Sequence, residues 1–286
     1  MRGDNECRRA GRTVRPGARR GAYRAVICDL DGTVYRAGRP LPGAVESLER
    51  MRAANVPVLF VSNNPTRSSA SYAERLRALG VAAAPEDVLT SGGVVIDWLL
   101  AEAAGARVLL VGESSLHAEL AGHGIGLVDS GRDADVVVVS FDRTFDYRKW
   151  MEAFRALRAG ARFVATNPDP TCPVDDGEVP DCGGIIAALE VTVGRRVEVV
   201  VGKPSAMMAH AALDRLRAAA HEVLVVGDRL ETDVRLGTRN GLDTALVLTG
   251  VTDPADLHTA PDQPTFVLDD LAALPSLVGL TEPEAG

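Results

Sequence analysis

The chain has 286 residues, is 46% hydrophobic and 4% aromatic, and carries a formal net charge of −8. That length allows one large or two ordinary domains with a substantial core, and the acidic balance argues against nucleic acid as the main partner. No apolar run approaches the ~20 residues that span a bilayer, and the arginine-rich start lacks the apolar segment of a signal peptide. A cytoplasmic protein without a membrane partner is therefore expected.

Residues 1–21 hold seven arginines against Asp4 and Glu6. This block is expected to be a disordered basic tail. Cys7, Cys28, Cys172 and Cys182 show no CxxC spacing, which suits reduced thiols. Only Lys149 and Lys203 are lysines among 31 basic residues.

From Arg24 the chain alternates apolar runs with amphipathic stretches, the pattern of a parallel α/β sheet. Arg24–Cys28 reads as a buried strand that ends in Asp29-Leu30-Asp31-Gly32-Thr33. A turn-rich stretch at 34–42 precedes a helix at about 43–54. Pro57–Val61 is a strand opening into Ser62-Asn63-Asn64-Pro65-Thr66, and a helix over Ser68–Leu79 is stopped by Gly80. Glu86-Asp87-Val88 is read as the start of a helix running to about Ala104.

The same alternation then restarts. Strands are expected at 108–111, 136–140 and 162–166, with helices at 115–120 and 146–159. A Pro/Asp/Gly-rich loop at 167–182 leads into a helix at 183–193. Strand 197–201, helix 204–218, strand 223–226, helix 232–239 and strands 244–248 and 265–268 complete the chain. So many units imply two domains. One is inserted in the other, because chemistry-bearing strand ends lie near both ends of the chain.

Four strand-to-loop junctions carry polar groups: Asp29/Asp31, Ser62/Asn63, Lys203 and Asp228/Asp233. In a parallel sheet such junctions fall on one edge, where α/β proteins bind ligands. Together they supply a carboxylate nucleophile, a proton donor, a hydroxyl, a cation and further carboxylates for a metal. That is the inventory for phosphoryl transfer through a covalent aspartyl-phosphate. Gly202-Lys203-Pro204 is not a P-loop, since Pro204 and a missing upstream glycine break that motif. His117, His123, His210, His221 and His258 show no metal-ligand spacing.

Four segments, Asp29-Leu30-Asp31-Gly32-Thr33, Phe60-Val61-Ser62-Asn63-Asn64, Val201-Gly202-Lys203-Pro204 and Val226-Gly227-Asp228-Arg229-Leu230-Glu231-Thr232-Asp233, occur in this order. In them the chain resembles the haloacid dehalogenase (HAD) superfamily of phosphohydrolases, in its NagD-like or nitrophenyl-phosphatase branch. The resemblance covers about residues 22–275. It implies a Rossmann-like parallel-sheet core at 22–89 and 198–286, with a smaller α/β cap domain inserted at 90–197.

The resemblance also implies roles. Asp29 would attack phosphorus, and Asp31 would protonate the leaving alcohol and later deprotonate water. Mg²⁺ would be held by Asp29, the backbone carbonyl of Asp31 and Asp228, with Asp233 ordering the metal's waters or Lys203. Ser62, Asn63 and Lys203 would bind the phosphoryl group. Asn167 and Asp169 are candidate substrate contacts from the cap loop, or else turn formers. Asp181 is either the N-cap of the following helix or a cleft-facing acid that disfavours a second anionic group on the substrate.

The function implied is a Mg²⁺-dependent phosphomonoesterase. It would act on a small phosphorylated metabolite, such as glycerol phosphate or another sugar or polyol phosphate, a nucleotide monophosphate or phosphoglycolate. A phosphotransferase or mutase on the same fold, or a catalytically idle binding module, is the alternative. Family members often dimerise through the cap, so a homodimer is an expectation from the resemblance.

Overall fold

The computed structural model describes residues 12–13, 21, 23–174 and 177–280. In chain order the strands are β1 (Arg12–Thr13), β2 (Ala25–Asp29), β3 (Tyr35–Arg36), β4 (Arg39–Pro40), β5 (Val58–Ser62), β6 (Val88–Thr90), β7 (Arg107–Val111) and β8 (Gly126–Leu127). They continue with β9 (Val136–Val139), β10 (Arg162–Ala165), β11 (Thr171–Val174), β12 (Gly177–Pro180), β13 (Val199–Val200), β14 (Val223–Gly227), β15 (Asp243–Val247) and β16 (Phe266–Leu268). The contacts divide the chain into two compact units, residues 1–61, 73–88 and 209–286, and residues 62–72 and 89–208. The second unit thus takes in 62–72, 89 and 198–208 beyond the inserted segment expected from sequence.

The first unit is organised by a seven-stranded sheet in the order β1-β16-β15-β14-β2-β5-β6. The pairings β16–β15, β15–β14, β14–β2 and β2–β5 are parallel. Its central strands are apolar on both faces: all five residues of β2 and all five of β14 are buried. This is the continuous-run signature of a sheet covered on both sides by helices. The strand order places β2 and β14 side by side, so their carboxyl ends, which carry Asp29 and Asp228, are adjacent. Residues 1–21, expected to be disordered, enter the description at Arg12–Thr13, where β1 pairs antiparallel with Phe266–Val267. The rest of that expectation lies outside the described residues, apart from Gly21.

The second unit has its own five-stranded parallel sheet, β13-β10-β9-β7-β8. Val137, Val139, Phe163 and Leu189 lie in its core, with the helices Tyr147–Arg158 and Cys182–Val193 packed on it. The fold is α/β throughout. Two local expectations change. The helix expected from Glu86 is a 3₁₀ turn at Pro85–Asp87, a buried strand at β6 and only then a helix at Ser91–Glu102, capped by the Thr90 hydroxyl accepting from the Gly93 amide at 3.0 Å. The loop expected at 167–182 contains the antiparallel hairpin β11–β12. Among the described residues no helix is long and apolar enough to cross a membrane.

Candidate active site

In the first unit, Asp29 is the last residue of β2 and is 9% exposed. The chain then turns sharply. The amides of Thr33, Val34 and Tyr35 all donate to the Leu30 carbonyl at 2.9–3.3 Å. Gly32 has φ +91°, in the left-handed region that favours glycine. A side chain there would also strike the Asp228 carboxylate. The Thr33 hydroxyl donates to Asp29 Oδ2 at 3.2 Å, fixing one oxygen of the proposed nucleophile. Asp31 is half-buried and bridges to Tyr35.

Asp228 follows β14, whose Val226 is in register with Cys28 of β2. It is 1% exposed, and the loop 249–252 holds it in place. The Val251 amide donates to Asp228 Oδ2 at 2.7 Å, and the Thr252 hydroxyl donates to the Asp228 carbonyl at 2.6 Å. The Thr249 hydroxyl donates to the Gly32 carbonyl at 2.7 Å, so one loop ties both strand ends. Any Cβ at Gly250 would collide with the Asp228 carboxylate, hence the glycine. Asp233 lies in the π-helical turn Leu230–Val234 and is 2% exposed. Its carboxylate accepts from the Arg229 amide at 3.2 Å.

Asp29, Asp228 and Asp233 each present an oxygen within 4.8 Å of the other two. Within that separation and at an effective dielectric of about 20, each pair of ionised carboxylates would repel by at least about 3.5 kcal/mol. Like charges so close need a cation or a proton between them. An all-oxygen donor set of this kind fits a hard divalent ion such as Mg²⁺. Asp233, expected behind the metal's waters, stands within the trio, whereas the carboxylate of Asp31 is not a member of it.

The other expected residues belong to the second unit. Ser62 ends β5, directly after Val61, which is in register with Asp29. Its hydroxyl accepts from the Asn64 amide at 3.1 Å and donates to the Tyr72 hydroxyl at 3.3 Å. Asn63 is 8% exposed and Lys203 3% exposed. Asn63 Oδ1 accepts from the Lys203 amide at 2.7 Å, and Nδ2 donates back to the Lys203 carbonyl at 3.0 Å. The two segments are thereby locked by a two-bond ring 140 residues apart in sequence. Ser91, the first residue of the helix Ser91–Glu102, ties the same loop, its hydroxyl donating to the Asn63 carbonyl at 2.7 Å.

The three cap-loop candidates are buried, Asn167 at 0%, Asp169 at 8% and Asp181 at 5% exposure. Asp169 Oδ2 accepts from Asn63 at 2.9 Å and from Asn167 at 3.1 Å. Asn167 also donates to Asp181 Oδ1 at 3.2 Å. Asp181 is the N-cap of the helix Cys182–Val193 and accepts from the Cys182 amide. Burial and the neighbouring Asp181 charge push the Cys182 thiol up, so it stays protonated.

Sequence reasoning gave no role to Thr33, although it stands in the first motif, and passed over Tyr72, Ser91 and the 249–252 loop. The signal available for that loop was Gly250 between two threonines after an apolar strand.

Two family models match the chain, haloacid dehalogenase-like hydrolase over residues 26–126 and HAD-hydrolase-like over residues 200–274. The sugar-phosphatase AraL of Bacillus subtilis is 34% identical over 248 residues, 86% of this chain and 90% of that protein. The 4-nitrophenylphosphatase of Thermotoga maritima superposes with a TM-score of 0.85 at 35% identity, covering 90% of this chain and 98% of that one. A glycerol phosphate phosphatase of Mycobacterium tuberculosis, solved in complex with magnesium, gives a TM-score of 0.83 at 38% identity over 93% of this chain and 80% of that one. The chain therefore belongs to the haloacid dehalogenase superfamily, in its NagD-like branch, and is a HAD-type phosphatase.

Proposed function

We propose that this enzyme is a Mg²⁺-dependent phosphomonoesterase for a small phosphorylated metabolite, with a sugar or polyol phosphate as the substrate class. The observation that carries the reading is the convergence of Asp29 and Asp228, at the ends of two adjacent parallel strands, with Asp233 of the turn that follows the second. The substrate class is supported by relatives described as a sugar phosphatase and a glycerol phosphate phosphatase.

Asp29, oriented by Thr33, attacks phosphorus, and the phosphorus–oxygen bond to the leaving alcohol breaks. Asp31 gives its proton to that alkoxide. It then takes a proton from the water that attacks the aspartyl-phosphate, releasing inorganic phosphate and regenerating the Asp29 carboxylate. Asp29 and Asp228 would hold Mg²⁺ together with the Asp31 carbonyl, and Asp233 stands close enough to join them. When bound, the ion neutralises the carboxylates and offsets the charge of the phosphate dianion. By resemblance to the family, Ser62 and Lys203 would bind the phosphoryl oxygens as charge builds on them. The substrate would be a phosphorylated small molecule of the cytoplasm, and the enzyme would act as a homodimer formed through the cap.

The deciding experiment incubates the purified protein with nitrophenyl phosphate, glycerol phosphate, several sugar phosphates, a nucleotide monophosphate and phosphoglycolate, with Mg²⁺ or with a chelator. Mg²⁺-dependent phosphate release, fastest on a sugar or polyol phosphate, is expected. No release from any of them would refute the reading. A preference for phosphoglycolate would remove the substrate class alone.

A further inference from the structure

Asp169 and Asp181 are buried carboxylates of the second unit that the proposed chemistry does not use. A buried carboxylate is costly unless its oxygens accept hydrogen bonds. Here the donors are primary amides. Asn167 Nδ2 reaches Asp169 Oδ2 and Asp181 Oδ1, while its Oδ1 accepts from the Thr166 hydroxyl at 2.9 Å. Asn63 Nδ2 supplies the second donor to Asp169 Oδ2.

Asn63 is the informative member. Its two N–H groups are both committed, one to Asp169 and one to the Lys203 carbonyl, and its oxygen accepts from the Lys203 amide. Turned over, the amide would aim its oxygen at two acceptors, the Asp169 carboxylate and the Lys203 carbonyl. Asp169 thus fixes which way Asn63 faces, and Asn63 grips both backbone polar groups of Lys203. The backbone at this point is tightly placed as well, since a side chain at Gly202 would strike the Thr166 carbonyl and Asn63 Oδ1. A continuous run of bonds therefore leads from the Cys182 amide through Asp181, Asn167, Asp169 and Asn63 to Lys203.

We propose that Asp169 is a positioning residue that acts through the Asn63 amide to fix the Lys203 backbone, and so sets where the lysine's charge is presented. The proposal rests on the reading of Lys203 as the phosphoryl-binding cation. It gives the cap-loop acid a role in the rate on every substrate rather than a contact with one of them.

The test combines a double-mutant cycle with hydrogen exchange. Asp169→Ala should lower kcat for nitrophenyl phosphate by ~10-fold with less change in KM, the cost of a small misplacement of a charged group. Asp169→Asn keeps an acceptor oxygen in the same shape and should recover most of that loss. In a Lys203→Met background Asp169→Ala should cost less than twofold, because its effect is transmitted through the lysine. Amide exchange in a peptide spanning residues 199–206 should accelerate in Asp169→Ala and return toward wild type in Asp169→Asn.

An undiminished ~10-fold loss in the Lys203→Met background, or unaltered exchange at 199–206, overturns the proposal. Should Asp169→Ala fail to fold, Asp169→Ser, whose hydroxyl stops short of Asn63, carries the same comparison. If the wild type hydrolyses no phosphate ester, the phosphatase reading falls by itself. The exchange comparison then still decides whether Asp169 braces Lys203.

Discussion

Two groups of buried acids in this chain are satisfied in opposite ways. In the first unit Asp29, Asp228 and Asp233 bring carboxylate oxygens within 4.8 Å of one another, partly held by Thr33, the Val251 amide and the Arg229 amide. In the second unit Asp169 and Asp181 share the amide of Asn167, and Asp169 has the amide of Asn63 in addition. The first arrangement sets three like charges side by side, the geometry on which the proposed divalent-ion site rests, whereas the second gives its acids hydrogen bonds from neutral amides. Acids held together against their charge mark chemistry, and acids wrapped in amides mark architecture.

Charge-neutral substitution at the nucleophile should break the comparison most severely. Asp29→Asn is expected to lower phosphate release by at least ~10⁴-fold, since removing a covalent nucleophile leaves only binding effects. A rate within tenfold of wild type would mean that Asp29 does not form the intermediate. Lys203→Met comes next, with an expected ~10²–10³-fold fall in kcat, as for a single preorganised charge stabiliser. A loss confined to KM would assign Lys203 to ground-state binding instead.

The contrast itself is sharpened by adding metal without substrate. Saturating Mg²⁺ at about 100 times its Kd should contribute about 2.7 kcal/mol to stability, seen as an upward shift of several degrees in the unfolding temperature. Asp228→Asn should abolish most of that shift, and Asp169→Asn should leave it intact. Equal responses in both variants would erase the distinction between the two groups.

A smaller effect is expected at Asn167, whose loss leaves Asp169 and Asp181 each short of one donor. Asn167→Ala should reduce stability by about 2 kcal/mol in denaturant unfolding, with no dependence on Mg²⁺.

The least effect belongs to an exposed pair that serves as a surface control. Arg107 beside Asp135 holds that carboxyl down at about 2, below its usual 3.8. A depressed folded pKa means that the pair stabilises the fold above about pH 4, and that this contribution fades as the pH falls through about 2. Asp135→Asn should therefore lower the unfolding temperature slightly at pH 7 and hardly at all near pH 2. A larger penalty at the acid end would contradict the sign.

Much of this was legible in the residues. β2 and β14 announced themselves as unbroken apolar runs, and the acids after them followed from where parallel sheets place their loops. The buried β6 was not legible. Three residues are too few to show a period, and Pro85-Glu86-Asp87 imitates the acidic opening of a helix. Asn63 and Asp169 were visible as polar residues in loops. That they face each other depends on side-chain direction across 106 positions of sequence, which no local pattern encodes. The 249–252 loop escaped for a similar reason, since it acts through the Val251 amide and the Thr252 hydroxyl on a residue over 20 positions earlier.

The strand order also sets a timetable for synthesis. Every strand of the five-stranded sheet lies between residues 107 and 200, so that sheet is complete in the nascent chain before β14 exists. β2, made first, has Val26 in register with Leu224 and must wait for it. A chain that emerges from its amino end and folds domain by domain can thus finish the inserted unit while the acid-bearing sheet is still without its centre. The three carboxylates can come together only after residue 233 has left the ribosome, so a nascent chain that ends before Asp233 holds at most two of them.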